Sequence, residues 1–122
     1  MAYYREDEDI MNLLLKNGAN PNINGYTSTE TKVPLLLSAA SKKSPFLKLL
    51  LKYKADPDIK NDKGETPLFR PVLKSMYDNV ELLLKAGADP NIKISGDSYL
   101  DLAKENGDEK MIELLKKYGA KE

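Results

Sequence analysis

The chain contains no cysteine, no histidine and no tryptophan. Without histidine and cysteine, the commonest zinc sites, the Ser-His-Asp triad and the Cys-His dyad are all excluded. The lack of cysteine also removes disulfides and thiol chemistry, which suits a cytosolic protein. Carboxylates and lysines remain, but paired-carboxylate catalysis needs a shaped cleft. We therefore expect no catalytic site, no cofactor and no metal.

An excess of charge of either sign is also lacking, because 19 basic side chains balance 19 acidic ones. No overall field would attract nucleic acid or an anionic membrane. The sequence has no run of 18 apolar residues, and its acidic start, MAYYREDED, is unlike a signal peptide. We expect neither nucleic acid nor membrane as a partner, and a cytoplasmic location.

What the chain does have is one segment written three times. It reads LLLKNGANPN from Leu13, LLLKYKADPD from Leu49 and LLLKAGADPN from Leu82, with a degraded copy, LLKKYGA, from Leu114. The lysines that close these leucine runs are 36, 33 and 32 residues apart. Recurrence at a nearly fixed period indicates a repeat architecture. Three consecutive leucines cover about 300° of a helix, so such a helix must be contacted on several sides by neighbouring repeats.

Each repeat is predicted to contain two helices. The first helices open at Val33, Thr66 and Ser98, and the second helices open at Ser44, Tyr77 and Asp108. Thr66 is a predicted N-cap with Pro67 at the first helical position, and Asp108 is another predicted cap. Pro71 should kink or delay its helix, because it lacks a backbone N–H.

The ends of the second helices carry glycine at Gly18, Gly87 and Gly119, where a left-handed residue closes a helix. Lys54 occupies the same position in its repeat. Either this lysine has a positive φ, which is uncommon for a residue with a side chain, or its helix ends differently.

The block DIKNDKGETPLF, followed by a second helix that ends LLLKxGADPN, resembles the ankyrin repeat. The resemblance covers residues 10 to 122. It implies an all-α solenoid, in which antiparallel helix pairs stack side by side and hairpin-type loops project like fingers. It also implies protein binding through the finger tips and the inner helices. Leu36, Phe69 and Asp101 replace the histidine of the family motif, so its loop-bracing hydrogen bond is expected to be missing.

The period divides the chain into a partial repeat at 1–22, a repeat with a lengthened loop at 23–58, a repeat at 59–91 and a C-terminal capping repeat at 92–122. The last is expected to be a cap because Lys104 and Lys116 place charge where a following repeat would pack. At the other end, residues 2–15 are expected to form one helix, with Tyr3 and Tyr4 covering the leucines from Leu13 onward. Self-association through this edge and a missing upstream segment are the alternatives.

Three groups of residues are candidate protein contacts. The first loop is three residues longer than the second and is rich in the residue types of adaptable binding loops. An exposed leucine rimmed by polar residues at the end of the first helix would be typical of a binding hot spot. The loop candidates are Tyr26, Thr27, Thr29, Glu30 and Lys32; the tip candidates are Lys60, Asp62, Lys63, Glu65, Lys93, Ser95 and Asp97; the inner-helix candidates are Leu73, Lys74, Glu105 and Asn106. The competing interpretation of each group is a solvated or packed surface without a partner.

The sequence therefore predicts a non-enzymatic, monomeric adaptor or inhibitor that binds a folded protein. Two alternatives stay open. One is a secreted bacterial or viral effector that acts on a host protein in the host cytoplasm. The other is an architectural C-terminal fragment of a longer repeat array, with no ligand of its own.

Overall fold

The computed structural model describes residues 13, 15–18, 20, 24–26, 32–41 and 45–121. Within them, three helix pairs follow one another along the chain. The helices are α1 (Leu35–Ala40), α2 (Pro45–Lys52), α3 (Phe69–Leu73), α4 (Tyr77–Lys85), α5 (Tyr99–Glu105) and α6 (Glu109–Lys117); the strands are β1 (Asn24–Tyr26), β2 (Lys32–Pro34), β3 (Lys93–Ile94) and β4 (Asp97–Ser98). Strand β1 pairs antiparallel with β2, and β3 with β4.

The helices pack in a regular order. Each helix contacts its partner within a pair, α3 contacts α5, and α4 contacts both α2 and α6. The first helices of the last two pairs thus lie side by side, and so do the second helices of all three pairs. This arrangement confirms the predicted helix-pair solenoid with hairpin-type loops.

The triple-leucine runs form the centre of the stack. The middle positions of the aligned runs, Leu50, Leu83 and Leu115, are completely buried, and the leucines beside them are buried or half-buried. Burying each of these leucines stabilises the fold by about 1.5–3 kcal/mol. The second helices are therefore contacted on several sides, as the sequence predicted.

The second helices end as expected. Gly87 has φ 101° and its N–H donates to Leu84 O (3.1 Å), while the next N–H, of Ala88, donates to Leu83 O (3.0 Å). Gly18 and Gly119 also have positive φ. Lys54 repeats this conformation with φ 69°, so of the two alternatives the left-handed backbone is the one found.

The starts of the helices are less uniform than their ends. The Asp108 side chain caps α6 by accepting the N–H of Met111 (3.1 Å), which confirms that prediction. The prediction for Thr66 is wrong, because α3 begins only at Phe69, its N-cap is Leu68, and no side chain caps it. Pro71 lies inside this short helix, and the late start agrees with the expected delay.

The Thr66 side chain bonds to the next helix pair instead of to its own helix. Its hydroxyl forms a hydrogen bond with that of Tyr99, which is completely buried at the start of α5. Burial raises the pKa of Tyr99 to about 12, so the phenol stays neutral at physiological pH. The family's histidine is absent, but Thr66 has a hydrogen-bond partner in the adjacent pair.

Two aligned polar side chains link the loops of neighbouring pairs. The Asp58 carboxylate accepts the N–H of Asp89 (2.9 Å), and the Asn91 amide oxygen accepts the N–H of Lys121 (2.8 Å). Burial is the largest influence on the Asp58 carboxyl and raises its pKa, although the Asp89 N–H partly opposes this. The third residue of each Asp-Pro-Asp or Asp-Pro-Asn motif thus contacts the following repeat.

The remaining expectations concern the two ends of the stack, a C-terminal cap and an N-terminal lid. Lys104 and Lys116 are exposed. Leu15 is buried, whereas Leu13 is 60% exposed. Tyr3, Tyr4 and most of the expected N-terminal helix lie outside the described residues, so their role as a lid stays a prediction, as do the four repeat boundaries.

Candidate protein-binding surface

The loop between α2 and α3 ends in a tight turn at residues 61–64. Gly64 N–H donates to Asn61 O (3.0 Å), and the Asn61 side-chain oxygen accepts the N–H groups of Lys63 (3.0 Å) and Glu65 (2.9 Å). Gly64 has φ 75°, a conformation that glycine adopts without strain. This turn leaves Lys60, Asp62 and Lys63 exposed, which is where a finger tip requires them.

Glu65 is not part of that tip, contrary to the sequence-based expectation. Only 9% of the surface of Glu65 is exposed. One carboxylate oxygen accepts a hydrogen bond from the Asn61 amide (3.4 Å), and the other lies 3.9 Å from the Arg70 guanidinium. Because glutamate is costly to bury without partners, both contacts hold it inward. Glu65 therefore supports the turn and is not available to a partner protein.

The hairpin formed by β3 and β4 is a second finger tip. Ser95 (φ 54°) and Gly96 (φ 91°) both have positive φ, as the two central residues of a type I′ hairpin turn require. Lys93, Ser95 and Asp97 are exposed around this turn. The structure brings these three candidates together at one projecting loop.

The long first loop is only partly described. Tyr26 and Lys32 are backbone partners at the open end of the β1–β2 ladder, so the loop leaves the sheet between them. Thr27, Thr29 and Glu30 lie outside the described residues. Protein binding by these five residues stays a prediction.

The ends of α3 and α5 present the inner-helix candidates. Leu73 is 40% exposed, and its carbonyl accepts a hydrogen bond from the Asn106 side chain (3.4 Å). Lys74, Glu105 and Asn106 are also exposed. An accessible leucine is thus bordered by a cation, an anion and an amide. An apolar centre with a polar rim is the general arrangement of protein interfaces.

Arg70 belongs to the same surface but was not among the sequence candidates. Its side chain is 57% exposed, and it precedes Lys74 by four residues, so the two cations share a face of the helical turn. The scarcity of arginine could have drawn attention to it, because Arg70 is one of only two arginines in the chain. Arginine is enriched at interface hot spots.

The described residues offer little for other kinds of chemistry. Within residues 45–121 and the shorter described stretches, Asp and Glu form no group of three that could hold a metal ion. No helix among the described residues is long and apolar enough to cross a bilayer. What this surface provides is exposed side chains of mixed charge around one leucine.

The chain belongs to the ankyrin repeat family. A family profile described as ankyrin repeats (3 copies) matches residues 1–94. Ankyrin repeats are in general non-enzymatic protein–protein interaction modules, and the finger-like hairpins and stacked helix pairs found in this chain are the parts on which such modules are built.

Related proteins come from viruses and from animals. The chain is 36% identical to an ankyrin repeat protein of fowlpox virus over 72% of this chain and 15% of that protein. It is 35% identical to an ankyrin repeat protein of Acanthamoeba polyphaga mimivirus over 75% of this chain and 16% of that protein. It is also 42% identical to the nuclear factor NF-kappa-B p105 subunit of Gallus gallus over 50% of this chain and 6% of that protein. The chain thus spans less than a fifth of the length of these relatives.

Proposed function

We propose that this chain is a non-catalytic adaptor or inhibitor that binds one folded protein. The contact surface consists of the two described finger tips and the exposed ends of α3 and α5. The observation that carries the proposal is the 40% exposure of Leu73 beside Asn106, in a stack whose other described large apolar side chains, apart from Leu13, are buried or half-buried.

Leu73 is the expected anchor of this surface. Interface energy concentrates in a few central residues, and burial of an exposed leucine gives non-directional attraction. Arg70, Lys74 and Glu105 surround it and supply specificity and faster association more than affinity. The exposed tip residues then fix the orientation of the partner.

The test is affinity capture with the intact chain, compared with the Leu73→Ala variant and with Lys60→Glu combined with Lys63→Glu. Leu13→Ala is the matched control for Leu73, because it removes the other exposed large apolar side chain of the described residues, in an earlier repeat. Lys121→Glu is the charge-reversal control. Quantitative mass spectrometry of the retained proteins measures the outcome.

We expect one set of proteins to be retained by the wild type and both controls but lost from the Leu73 and tip variants. If all five forms retain the same proteins equally, the proposed surface is wrong. If none retains a specific protein while all are folded, the architectural alternative, without a ligand, is favoured.

A further inference from the structure

A groove between the second helices lies apart from the finger tips and the exposed inner-helix ends. It is lined by Tyr77, Asp78 and Glu81 from α4 and by Lys110, Glu113, Leu114 and Lys117 from α6. This hollow has a volume of about 360 Å³. A second hollow of about 340 Å³ shares Tyr77, Asp78 and Lys110 with it and reaches the residues before α4. We name the two together the α4–α6 groove.

The aromatic wall of the groove is fixed by the neighbouring helix pair. The Asp108 carboxylate accepts hydrogen bonds from the hydroxyls of Ser75 (2.5 Å) and Tyr77 (2.8 Å). Burial alone would raise the pKa of Asp108, but these donors and the Met111 N–H outweigh burial and lower it. Asp108 is therefore ionised at neutral pH and holds the Tyr77 ring in place.

The face of this ring already attracts a cation. The Lys110 ammonium lies 4.4 Å from the centre of the Tyr77 ring. At that distance the negative face of the ring attracts the ammonium electrostatically. Lys110 is exposed and sits on a flexible side chain, so it can leave the ring without disturbing the helix.

Two carboxylates border the same groove without a counter-ion. Asp78 on α4 and Glu113 on α6 are exposed, and neither has an ion pair or a side-chain hydrogen bond within the described part of the chain. Glu81 differs, because it pairs with Lys85 at 3.1 Å. The groove thus combines an aromatic face with one unpaired acid on each side, and a second lysine, Lys117, lines it four residues after Glu113.

We propose that the α4–α6 groove binds a lysine or arginine side chain from a basic segment of a partner protein. The incoming cation replaces Lys110 on the Tyr77 ring and is flanked by Asp78 and Glu113. Lys110 acts as an internal competitor that occupies the ring while the groove is empty. This second contact surface does not depend on the proposed function of the finger tips.

The test is a titration of the intact protein with a short synthetic peptide of alternating glycine and lysine, followed by two-dimensional NMR. A peptide of alternating glycine and glutamate is the charge control. The variants are Lys110→Ala, which empties the ring face, and Asp78→Asn combined with Glu113→Gln, which keeps the shapes of both side chains. Lys121→Ala is the matched control, because it changes net charge as Lys110→Ala does but lies outside the groove.

We expect the lysine peptide to shift the signals of Tyr77, Asp78 and Glu113, and the glutamate peptide to leave them unchanged. Lys110→Ala should tighten lysine-peptide binding by about two- to fivefold more than Lys121→Ala does, because the internal competitor is gone. The double amide variant should weaken binding. Thermal unfolding of every variant checks that the fold is intact.

Two results would overturn the proposal. Equal effects of Lys110→Ala and Lys121→Ala would show that only net charge matters. Shifts spread evenly over all exposed acids, or unchanged binding by the double amide variant, would show that the groove is not a site.

Discussion

Helices α3 and α5 occupy the same position in successive helix pairs but are held in different ways. Helix α5 begins with a capping box, in which Ser98 Oγ accepts the N–H of Asp101 and the Asp101 carboxylate accepts the N–H of Ser98. Helix α3 has no side-chain cap and is two residues shorter. Its N-cap residue Leu68 and its Val72 are nevertheless completely buried. A short, uncapped helix can therefore be held by burial and by its neighbour.

The largest expected effect comes from removing that burial. Leu68→Ala and Leu100→Ala change aligned side chains that are 0% and 1% exposed. Each should lower the free energy of unfolding by about 2–5 kcal/mol, because a cavity remains. The loss should be at least as large for Leu68, since α3 has no cap. Urea denaturation followed by circular dichroism measures both; a much smaller loss at Leu68 would contradict burial as the main support of α3.

The second prediction tests how much the hydrogen bond between Thr66 and Tyr99 contributes to holding α3 against α5. Tyr99→Phe removes the partner of the buried Thr66 hydroxyl and should cost about 1–2 kcal/mol, since that hydroxyl loses its hydrogen bond. Adding Thr66→Val should cost less than the sum of the single changes, because the two residues interact directly. Tyr118→Phe, at a half-buried tyrosine, is the control. Additive losses in the double variant would rule out the contact as a shared support.

A smaller effect is expected from the local cap of α5. Ser98→Ala removes the side-chain acceptor of the Asp101 N–H and should cost about 1 kcal/mol. Glu105→Ala, on the exposed face of the same helix, should change stability by less than about 0.5 kcal/mol. Thermal unfolding compares the two variants. Equal melting temperatures would indicate that α5, like α3, does not depend on its cap.

The smallest effect is a pH dependence that the cap of α5 should produce and that α3, without a cap, should lack. The N–H and hydroxyl of Ser98 lower the pKa of Asp101 below its ordinary value of 3.8. A lowered folded-state pKa means that the stabilisation is present above pH 3.8 and is lost as the pH falls through the folded value. Asp101→Asn should therefore reduce the melting temperature near neutral pH by more than at pH values below 3.8. A difference that is constant with pH would contradict this account.

Much of the fold could be predicted from the period and from local backbone chemistry. The leucine runs indicated helices contacted on several sides, the glycines and Lys54 marked the helix ends, and Asp108 was identified as a cap. These features depend on residues within one turn of each other or on the repeat itself. They are therefore readable in a single sequence.

What could not be predicted depends on contacts between repeats. Thr66 looked like a cap, but its hydroxyl bonds to Tyr99, 33 residues away. Glu65 looked like a tip residue, but Asn61 and Arg70 hold it inward. No sequence pattern predicted the groove beside Tyr77, because its walls come from two different repeats. The exposure of Leu73 could be recognised only once the helices were packed. Its place at the end of a first helix had already made it a candidate from the sequence.

The loop-to-loop bonds of Asp58 and Asn91 have a consequence for how the stack opens. The N–H groups of Asp89 and Lys121 belong to exposed residues, yet each is bonded to a side chain of the preceding repeat. Their hydrogen exchange with solvent therefore requires two adjacent repeats to separate at the loops. Because each repeat contacts only its neighbours, the two amides report on two different boundaries. The chain thus carries a separate reporter of local unfolding at each of these two boundaries.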